Sequence, residues 1–306
     1  MSASLAGTFL VFMFCIITAL STIAVTEIEL TYGPLMVTFF SITITILWFN
    51  AFQLKNTKRI RLLCVQHRIA LIWLNISTAI MWITTFFALQ SLPPDVFTAI
   101  LFGGIPVCIF ILTCKNTQSS RVKKIELLFT LIIASLLFLI GYHTLSASHF
   151  STTAISGIAL TFVTAFSGAW TIILSHRFAQ TGYSATEILS QRFYGLWLFS
   201  GGLLFFFPTS AALIVGFLPF SVVIAALSFI IPLFLLQKGI ERVDPMMVSF
   251  LSPLIPIFAF FMEMFAGRFS FDGLELILLV LLAITVITAA VAKLRYQPQK
   301  IDPPKQ

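Results

Sequence analysis

The segment 185–199, ATEILSQRFYGLWLF, places an arginine and several hydrogen-bonding side chains inside an apolar part of the chain. The side chains of Gln191, Arg192 and Tyr194 could contact a substrate directly. Glu187, Gln191 and Tyr194 are spaced i, i+4 and i+7, which puts them on one face of a helix. We predict that this face turns toward the protein interior, because polar groups are costly against lipid.

Arg192 allows four interpretations that the sequence alone does not separate. It lies about six residues into an apolar segment, roughly 9 Å from the nearer membrane surface at 1.5 Å per residue. We predict that its long side chain reaches back to that surface. The alternatives are a hydrogen bond to another helix, direct contact with a substrate, and an ion pair that gates a site.

Further candidates are amide and indole side chains within other apolar segments. Buried amides need partners, so Asn75 and Gln237 should face protein or water. Trp82 lies near the middle of its segment, and Trp170 also lies away from the interfacial belt where membrane tryptophans concentrate. Either indole could stack on a flat or cationic solute, although packing is the simpler interpretation.

Three prolines near the middle of apolar segments should leave backbone carbonyls without their helical donors. Pro106, Pro253 and Pro256 each remove one helical hydrogen bond, and Pro256 frees the carbonyl of Ser252. A solute could bind such a carbonyl, or a neighbouring helix or a serine hydroxyl could satisfy it. The predicted substrate site, which needs no metal or other cofactor, comprises Asn75, Trp82, Trp170, Gln191, Arg192, Tyr194, Gln237 and Ser252.

The elements that position these residues are transmembrane helices. The chain of 306 residues is 59% hydrophobic and only 9% charged, too few charges for the surface of a soluble domain. Its apolar blocks are continuous and about 20 residues long, which suits a membrane helix, whereas a barrel strand would alternate in polarity. Ten blocks occur, at 5–26, 33–54, 69–90, 95–114, 125–142, 154–174, 186–207, 217–237, 245–264 and 272–292. We therefore predict an all-α membrane protein with ten transmembrane helices.

The charges predict how these helices are oriented. All basic residues except Arg192 and Arg268 fall in the loops and the tail on one side of the predicted helices, here called the basic face. The positive-inside rule places the basic face and both termini in the cytoplasm. The net charge of +7 then faces anionic lipid headgroups, and no nucleic-acid partner is predicted. The loop 55–68 on this face could form a short helix at the membrane surface.

The two halves of the sequence resemble each other. LPPDVFTAILFGGIP at 92–106 corresponds to VDPMMVSFLSPLIP at 243–256, and TYGPLMVTFFSIT at 31–43 corresponds to GYSATEILSQRFY at 182–194. An odd number of helices per half, five, requires that the halves insert in opposite orientations. We therefore predict two inverted five-helix repeats followed by a cytoplasmic tail, with boundaries at 1–148, 149–294 and 295–306.

Two of these segments also carry a family resemblance. FFALQSLPPDVFTAILFGGIPV and LQKGIERVDPMMVSFLSPLIPI resemble the paired third–fourth and eighth–ninth helix junctions of the EamA domain in the drug/metabolite transporter superfamily. The resemblance covers nearly the whole chain and implies ten helices, both termini inside, and a secondary carrier of small organic solutes. The family often has an arginine in the second helix. Here that position falls near Ser41, and only the second half keeps the arginine, as Arg192.

Together these features predict a secondary transporter and not an enzyme. The membrane segments show no nucleophile with a base, no metal-binding pattern and no ATP-binding loop pattern. We expect export of an amino-acid-like or amphipathic metabolite across the bacterial inner membrane by alternating access. Import of a vitamin or nutrient in the same fold is the alternative, and a membrane sensor without transport is a more distant one. The expected partners are the solute and membrane lipid; a monomer suffices, although a homodimer would also be compatible.

Overall fold

The computed structural model describes residues 3–114, 120–147, 152–206, 210–265 and 273–296. Within them the protein is helical, with one π-helical turn and no strand. Nine of the described helical stretches are long and apolar enough to cross a membrane, judged by length and composition. The predicted all-helical architecture is therefore confirmed for the described residues, and its long apolar helices suit a membrane protein. From residue 297 onward the predicted tail lies outside the described residues.

The first half of the chain contains five long apolar helices and one short helix. They are α1 (Ala3–Tyr32), α2 (Pro34–Gln53), α3 (Thr57–Gln66), α4 (Arg68–Leu89), α5 (Pro94–Thr113) and α6 (Ser120–Ala147). The long helices coincide with the first five predicted blocks. The short α3 confirms that the loop 55–68 forms a helix. Gly33 makes the sharp turn from α1 into α2 possible, because its φ of 82° is readily adopted only by glycine.

The second half is less regular, and three of its predicted blocks are interrupted in the structure. Its helices are α7 (Thr152–Gln180), α8 (Ala185–Arg192), α9 (Tyr194–Phe206), α10 (Ala211–Ile224), α11 (Ile231–Ile240), α12 (Pro245–Leu251), α13 (Leu254–Phe265) and α14 (Gly273–Tyr296). The single helix predicted over 186–207 is two helices that meet at Phe193, so it is not among the nine long stretches. The π-helical turn Ala225–Ile230 joins α10 to α11. Ser252 and Pro253 separate α12 from α13.

Prolines account for two of these irregularities. Pro232 has no N–H to donate to the carbonyl of Ser228, and its ring would clash with that carbonyl in a regular helix. Widening the preceding turn into π geometry relieves the clash. Pro253 ends α12 by the same chemistry, whereas Pro106 is accommodated within a continuous α5. The break at Phe193 has no proline and needs another explanation, given below.

Helices of the two halves pack against each other. α4 and α5 pack on α7, while α1 packs on α11, α12 and α13. α2 lies against α8, α9 and the π-helical turn, and α6 lies against α14. Glycines allow the close contact of α1 with α11: a Cβ on Gly239 would lie 2.5 Å from Cγ2 of Val11. One contiguous apolar core therefore contains residues from both halves.

Buried charges join three helices at the end of the bundle that carries the basic face. Lys293 near the end of α14 pairs with Glu126 of α6, and its Nζ lies 2.9 Å from Oδ2 of Asp244. The Oδ1 atom of Asp244 accepts the backbone N–H of Met247 at 2.8 Å and caps α12. Lys293 is buried and contacts both carboxylates, so this cluster ties α6, α12 and α14 together.

A second polar network docks α3 on the start of α8. Nε of Arg59 lies 2.6 Å from Oε1 of Glu187, and Arg59 also donates to the carbonyl of Gly182. Oε2 of Glu187 accepts the backbone N–H of Ser184 at 2.7 Å, which completes a capping box at the start of α8. The position of α8 relative to α3 is thereby fixed.

Candidate functional site

The candidate site is built around the break between α8 and α9. In an uninterrupted helix the N–H of Gly195 would donate to the carbonyl of Gln191. Here Asn75 of α4 bonds to both groups: its Nδ2 donates to Gln191 O at 2.7 Å, and its Oδ1 accepts from Gly195 N at 3.0 Å. A second amide, Asn50 of α2, donates to Ser190 O at 3.2 Å. Side chains inserted into the helical hydrogen-bond ladder therefore cause the break.

Gly195 makes the close approach of Asn75 sterically possible. A Cβ on Gly195 would lie 3.1 Å from the backbone oxygen of Asn75 and 3.3 Å from its Cβ. Nδ2 of Asn75 also donates to Leu71 O at 3.0 Å, so both amide hydrogens have acceptors. Asn75, predicted to bind substrate, lies at the edge of the site and holds the helix break.

Arg192, the last residue of α8, points into the protein at this break. Only 3% of the residue is exposed, and its Nε donates to Oγ1 of Thr78 at 3.2 Å. Thr78 lies about ten residues, or 15 Å, from the start of α4, near the middle of that span. The guanidinium carbon also lies 5.4 Å from the ring centroid of Phe193. The prediction that Arg192 reaches the membrane surface is therefore wrong, because Thr78 and Phe193 hold its side chain inside.

The charge of Arg192 is not balanced by any described residue. No carboxylate among the described side chains forms an ion pair with it, and its hydrogen bond goes to a neutral hydroxyl. Glu187, the acid on the same helix, pairs with Arg59 instead. A charge removed from water without a counter-ion is costly, so the cost must be offset by some other interaction.

Trp82 lies one turn beyond Thr78 on the same face of α4. Its ring packs against Phe229 of the π-helical turn with centroids 5.0 Å apart, and against Phe86 at 6.2 Å. Within the described part of the chain, Nε1 of Trp82 and Oγ of Ser228 are buried and have no hydrogen-bond partner. The interior beside α4 therefore combines a cation, unused polar groups and aromatic rings.

Ser41 is a further buried polar residue of the interior, and two clefts lie elsewhere between the helices. Ser41 occupies the position in α2 that corresponds to Arg192, is fully buried, and has no partner for its hydroxyl among the described residues. Two clefts of about 430 and 380 Å³, open space included, lie between α5, α6, α13 and α14 and between α2, α4 and α9. Neither of these two clefts is lined by Arg192, which is itself buried.

Three other predicted residues contact different parts of the protein. Oε1 of Gln191 lies 3.7 Å from Sγ of Cys64 in α3, which places this side chain toward the basic face. Trp170 packs on a separate apolar cluster that includes Leu63 of α3. Ser252 donates its hydroxyl to the carbonyl one turn earlier at 2.9 Å, and its own carbonyl, predicted to be free, accepts from Ile255 N at 3.0 Å.

The predicted polar face of Glu187, Gln191 and Tyr194 does not form. Glu187 is buried and Gln191 is half-buried, but Tyr194 is 38% exposed. The i+7 spacing assumed one continuous helix, and the break at Phe193 changes the direction of Tyr194. The amide of Gln237 in α11 is fully buried, but neither of its polar atoms has a partner among the described residues, so the partner that we predicted for this amide is not found there.

Thr78 and Phe229 were not predicted from the sequence. Asn75, Thr78 and Trp82 are spaced i, i+3 and i+7, so helical periodicity could have identified Thr78 as a neighbour of the two candidates. Phe229 reaches Trp82 from a π-helical turn, and the only sequence signal for that turn is Pro232.

Comparison with known proteins bears on the fold alone. No family model matches the chain, and no curated protein matches it. A crystal structure of another protein is similar over 97% of this chain and 99% of its own, with a TM-score of 0.70 and 18% sequence identity. The arrangement of helices described above therefore occurs in an experimentally determined structure.

Proposed function

We propose that this protein is a secondary transporter that moves a small organic metabolite by alternating access, and that it resides in the bacterial inner membrane. The observation that carries the proposal is Arg192, buried near mid-span at a break in a membrane helix. Ionisable residues inside membrane proteins generally mark solute or ion pathways. Discontinuous helices at mid-membrane are a common means by which transporters bind solutes.

The arrangement of the helices supports two inverted repeats. α2 and α8 begin at Pro34 and Ala185, and α5 and α12 begin at Pro94 and Pro245, so both pairs have the same separation in sequence. Exchanging the two halves converts the contact of α4 with α7 into that of α11 with α1. The contact of α5 with α7 likewise converts into that of α12 and α13 with α1. Such exchange symmetry is expected of repeats related by an axis in the membrane plane.

The irregular spans support a transport cycle in which the second half bends. The α8–α9 break, the π-helical turn and the α12–α13 break all lie in the second half, whereas α2, α4 and α5 are continuous. Breaks of this kind are places where the backbone can change direction at low cost. We propose on this basis an EamA-type member of the drug/metabolite transporter superfamily, with both termini in the cytoplasm and export as the direction.

Flux through purified protein in liposomes tests the proposal. Liposomes loaded with a metabolite extract should release one or a few solutes faster than protein-free liposomes, and the release should saturate. Metabolite profiling of a deletion strain then gives the direction, since accumulation inside cells indicates export and auxotrophy indicates import. If no solute moves in either direction beyond the protein-free control, the transporter proposal fails and a sensor becomes the better interpretation.

A further inference from the structure

The donors of Arg192 that remain unused suggest what its site binds. A guanidinium carries five N–H groups, one on Nε and four on the two Nη atoms. The Nε group donates to Thr78, and none of the Nη groups bonds to a described residue. Thr78 thus fixes the plane of the guanidinium and leaves its terminal edge free. That edge presents two parallel N–H groups, the geometry that suits a carboxylate.

The surroundings of this edge favour an anion of single charge attached to an apolar body. The ring of Phe193 lies against the guanidinium, and Trp82, one helical turn from Thr78, packs on Phe229. Nε1 of Trp82 is a further donor without a partner among the described residues. A monoanion would neutralise Arg192, whereas a dianion would leave one net negative charge enclosed. A cationic solute would add a second positive charge to the site and raise its desolvation cost.

We propose that the transported solute is an organic carboxylate whose carboxylate group pairs with Arg192. In this arrangement Thr78 positions the guanidinium, Nε1 of Trp82 donates to the carboxylate, and the aromatic rings contact the apolar part of the solute. The solute then supplies the counter-ion that the described residues do not. This inference rests on the proposed transporter function and narrows its substrate class.

Matched probes test the proposal on the purified full-length protein. The probes are phenylacetate, phenylacetamide, 2-phenylethylamine and phenyl phosphate, together with straight-chain carboxylates from butyrate to octanoate and their amides. Each is titrated at neutral pH while the thermal unfolding midpoint is measured, because a ligand that binds the folded state raises it in a concentration-dependent way. At least one carboxylate should bind roughly 10-fold or more tightly than its own amide, since the amide lacks the charge. The amine should not bind measurably.

Three variants locate the effect at Arg192. Arg192→Gln should lose roughly 30-fold or more of the carboxylate affinity, as expected for truncating a buried charge pair. Arg192→Lys should bind more weakly than the natural chain but keep the preference for acid over amide, because an ammonium is charged but lacks the planar fork. Arg68→Gln, at an exposed arginine in the same membrane-embedded bundle, should leave all affinities unchanged. The Lys variant keeps the test decisive if Arg192→Gln does not fold.

Several results would overturn the carboxylate proposal. They are equal binding of acid and amide, tighter binding of the amine, preferential binding of phenyl phosphate, binding of no carboxylate in the set, and an acid preference that survives Arg192→Gln. Flux measurements separate this failure from failure of the transporter function. Liposome flux of a neutral solute that is unaffected by Arg192→Gln keeps the function and overturns the substrate class. Carboxylate binding without any flux keeps the site and overturns the function.

Discussion

Replacing Asn75 with leucine should destabilise the protein by removing the side chain that holds the α8–α9 break. Leucine has the same number and branching of side-chain heavy atoms as asparagine but neither donates nor accepts a hydrogen bond. The substitution therefore leaves the carbonyl of Gln191 and the N–H of Gly195 without their observed partners, at 2.7 and 3.0 Å. The leucine side chain would also lie between these groups and hinder the direct helical bond from forming.

The expected loss follows from the two lost interhelical bonds. Hydrogen bonds between membrane helices contribute on average about 0.6 kcal/mol each and at most about 1.7 kcal/mol. A buried backbone group left without a partner costs about 1–3 kcal/mol. We therefore expect Asn75→Leu to lower the free energy of unfolding by about 1–3 kcal/mol. Asn50→Leu, which removes one interhelical bond of 3.2 Å to Ser190 O, should cost about half as much.

Reversible unfolding in mixed detergent micelles measures both variants against the natural chain. Circular dichroism reports loss of helix, and the linear dependence on denaturing detergent gives the free-energy differences. A loss below about 0.5 kcal/mol for Asn75→Leu, or a loss no larger than that of Asn50→Leu, would refute the assignment of Asn75 as the cause of the break.

The remaining predictions concern close packing and the charges of the basic face, and the same unfolding assay checks them. Gly195→Ala should cost about 1–3 kcal/mol of unfolding free energy because the added Cβ would crowd the backbone of α4. The control Gly202→Ala, whose Cβ would meet open space in the same helix, should be neutral or stabilising by up to about 1 kcal/mol. Equal effects of the two substitutions would contradict this reasoning. Lys293→Met should cost about 3 kcal/mol or more because it removes one partner of a buried ion pair, and adding Glu126→Gln should restore part of the loss. A double variant less stable than the single variant would refute this explanation. Arg59→Gln should cost less than about 1 kcal/mol, since more than half of the Arg59 side chain is exposed to screening solvent and Glu187 keeps its bonds to Ser184. A loss as large as that of Lys293→Met would be inconsistent with this expectation.

The helices themselves could be predicted because lipid imposes strong rules on sequence. Continuous apolar blocks predicted the nine long helices to within six residues at each end. The start of α8 can also be predicted from the sequence, since Ser184 and Glu187 have the spacing of a capping box. Each of these signals is local, so a single sequence contains it.

The break at Phe193 could not be predicted, because its cause lies in another helix. Nothing near Phe193 resembles a helix terminator, and Gly195 alone is tolerated in membrane helices. The break depends on Asn75, more than a hundred residues earlier, and on the packing of α4 against α9. The error at Tyr194 followed directly, since helical periodicity holds only within one continuous helix.

The orientation of Arg192 was mispredicted for a related reason. Its distance from the end of the helix suggested that the side chain reaches the surface, which is the usual outcome for a basic residue facing lipid. Whether Arg192 faces lipid or protein depends on tertiary packing, and here Thr78 accepts its Nε–H in the interior. Helical periodicity places Thr78 on the same face of α4 as Asn75 and Trp82, but it identifies Thr78 as the partner of Arg192 only when α4 and α8 are known to be neighbours.

Accessibility of position 78 to water tests most directly whether the Arg192 site is reached alternately from both sides of the membrane. Thr78→Cys, in a chain whose native cysteines have been replaced, is exposed to a membrane-impermeant thiol reagent in intact cells and in inverted vesicles. Alternating access predicts labelling from both faces, although Thr78 is fully buried in this structure, and protection by a bound carboxylate. Ser77→Cys, at a neighbouring serine bonded to Thr171 of α7 at 2.9 Å, should stay unlabelled from either face. Labelling of position 78 from one face only, or from neither, would contradict alternating access to this site.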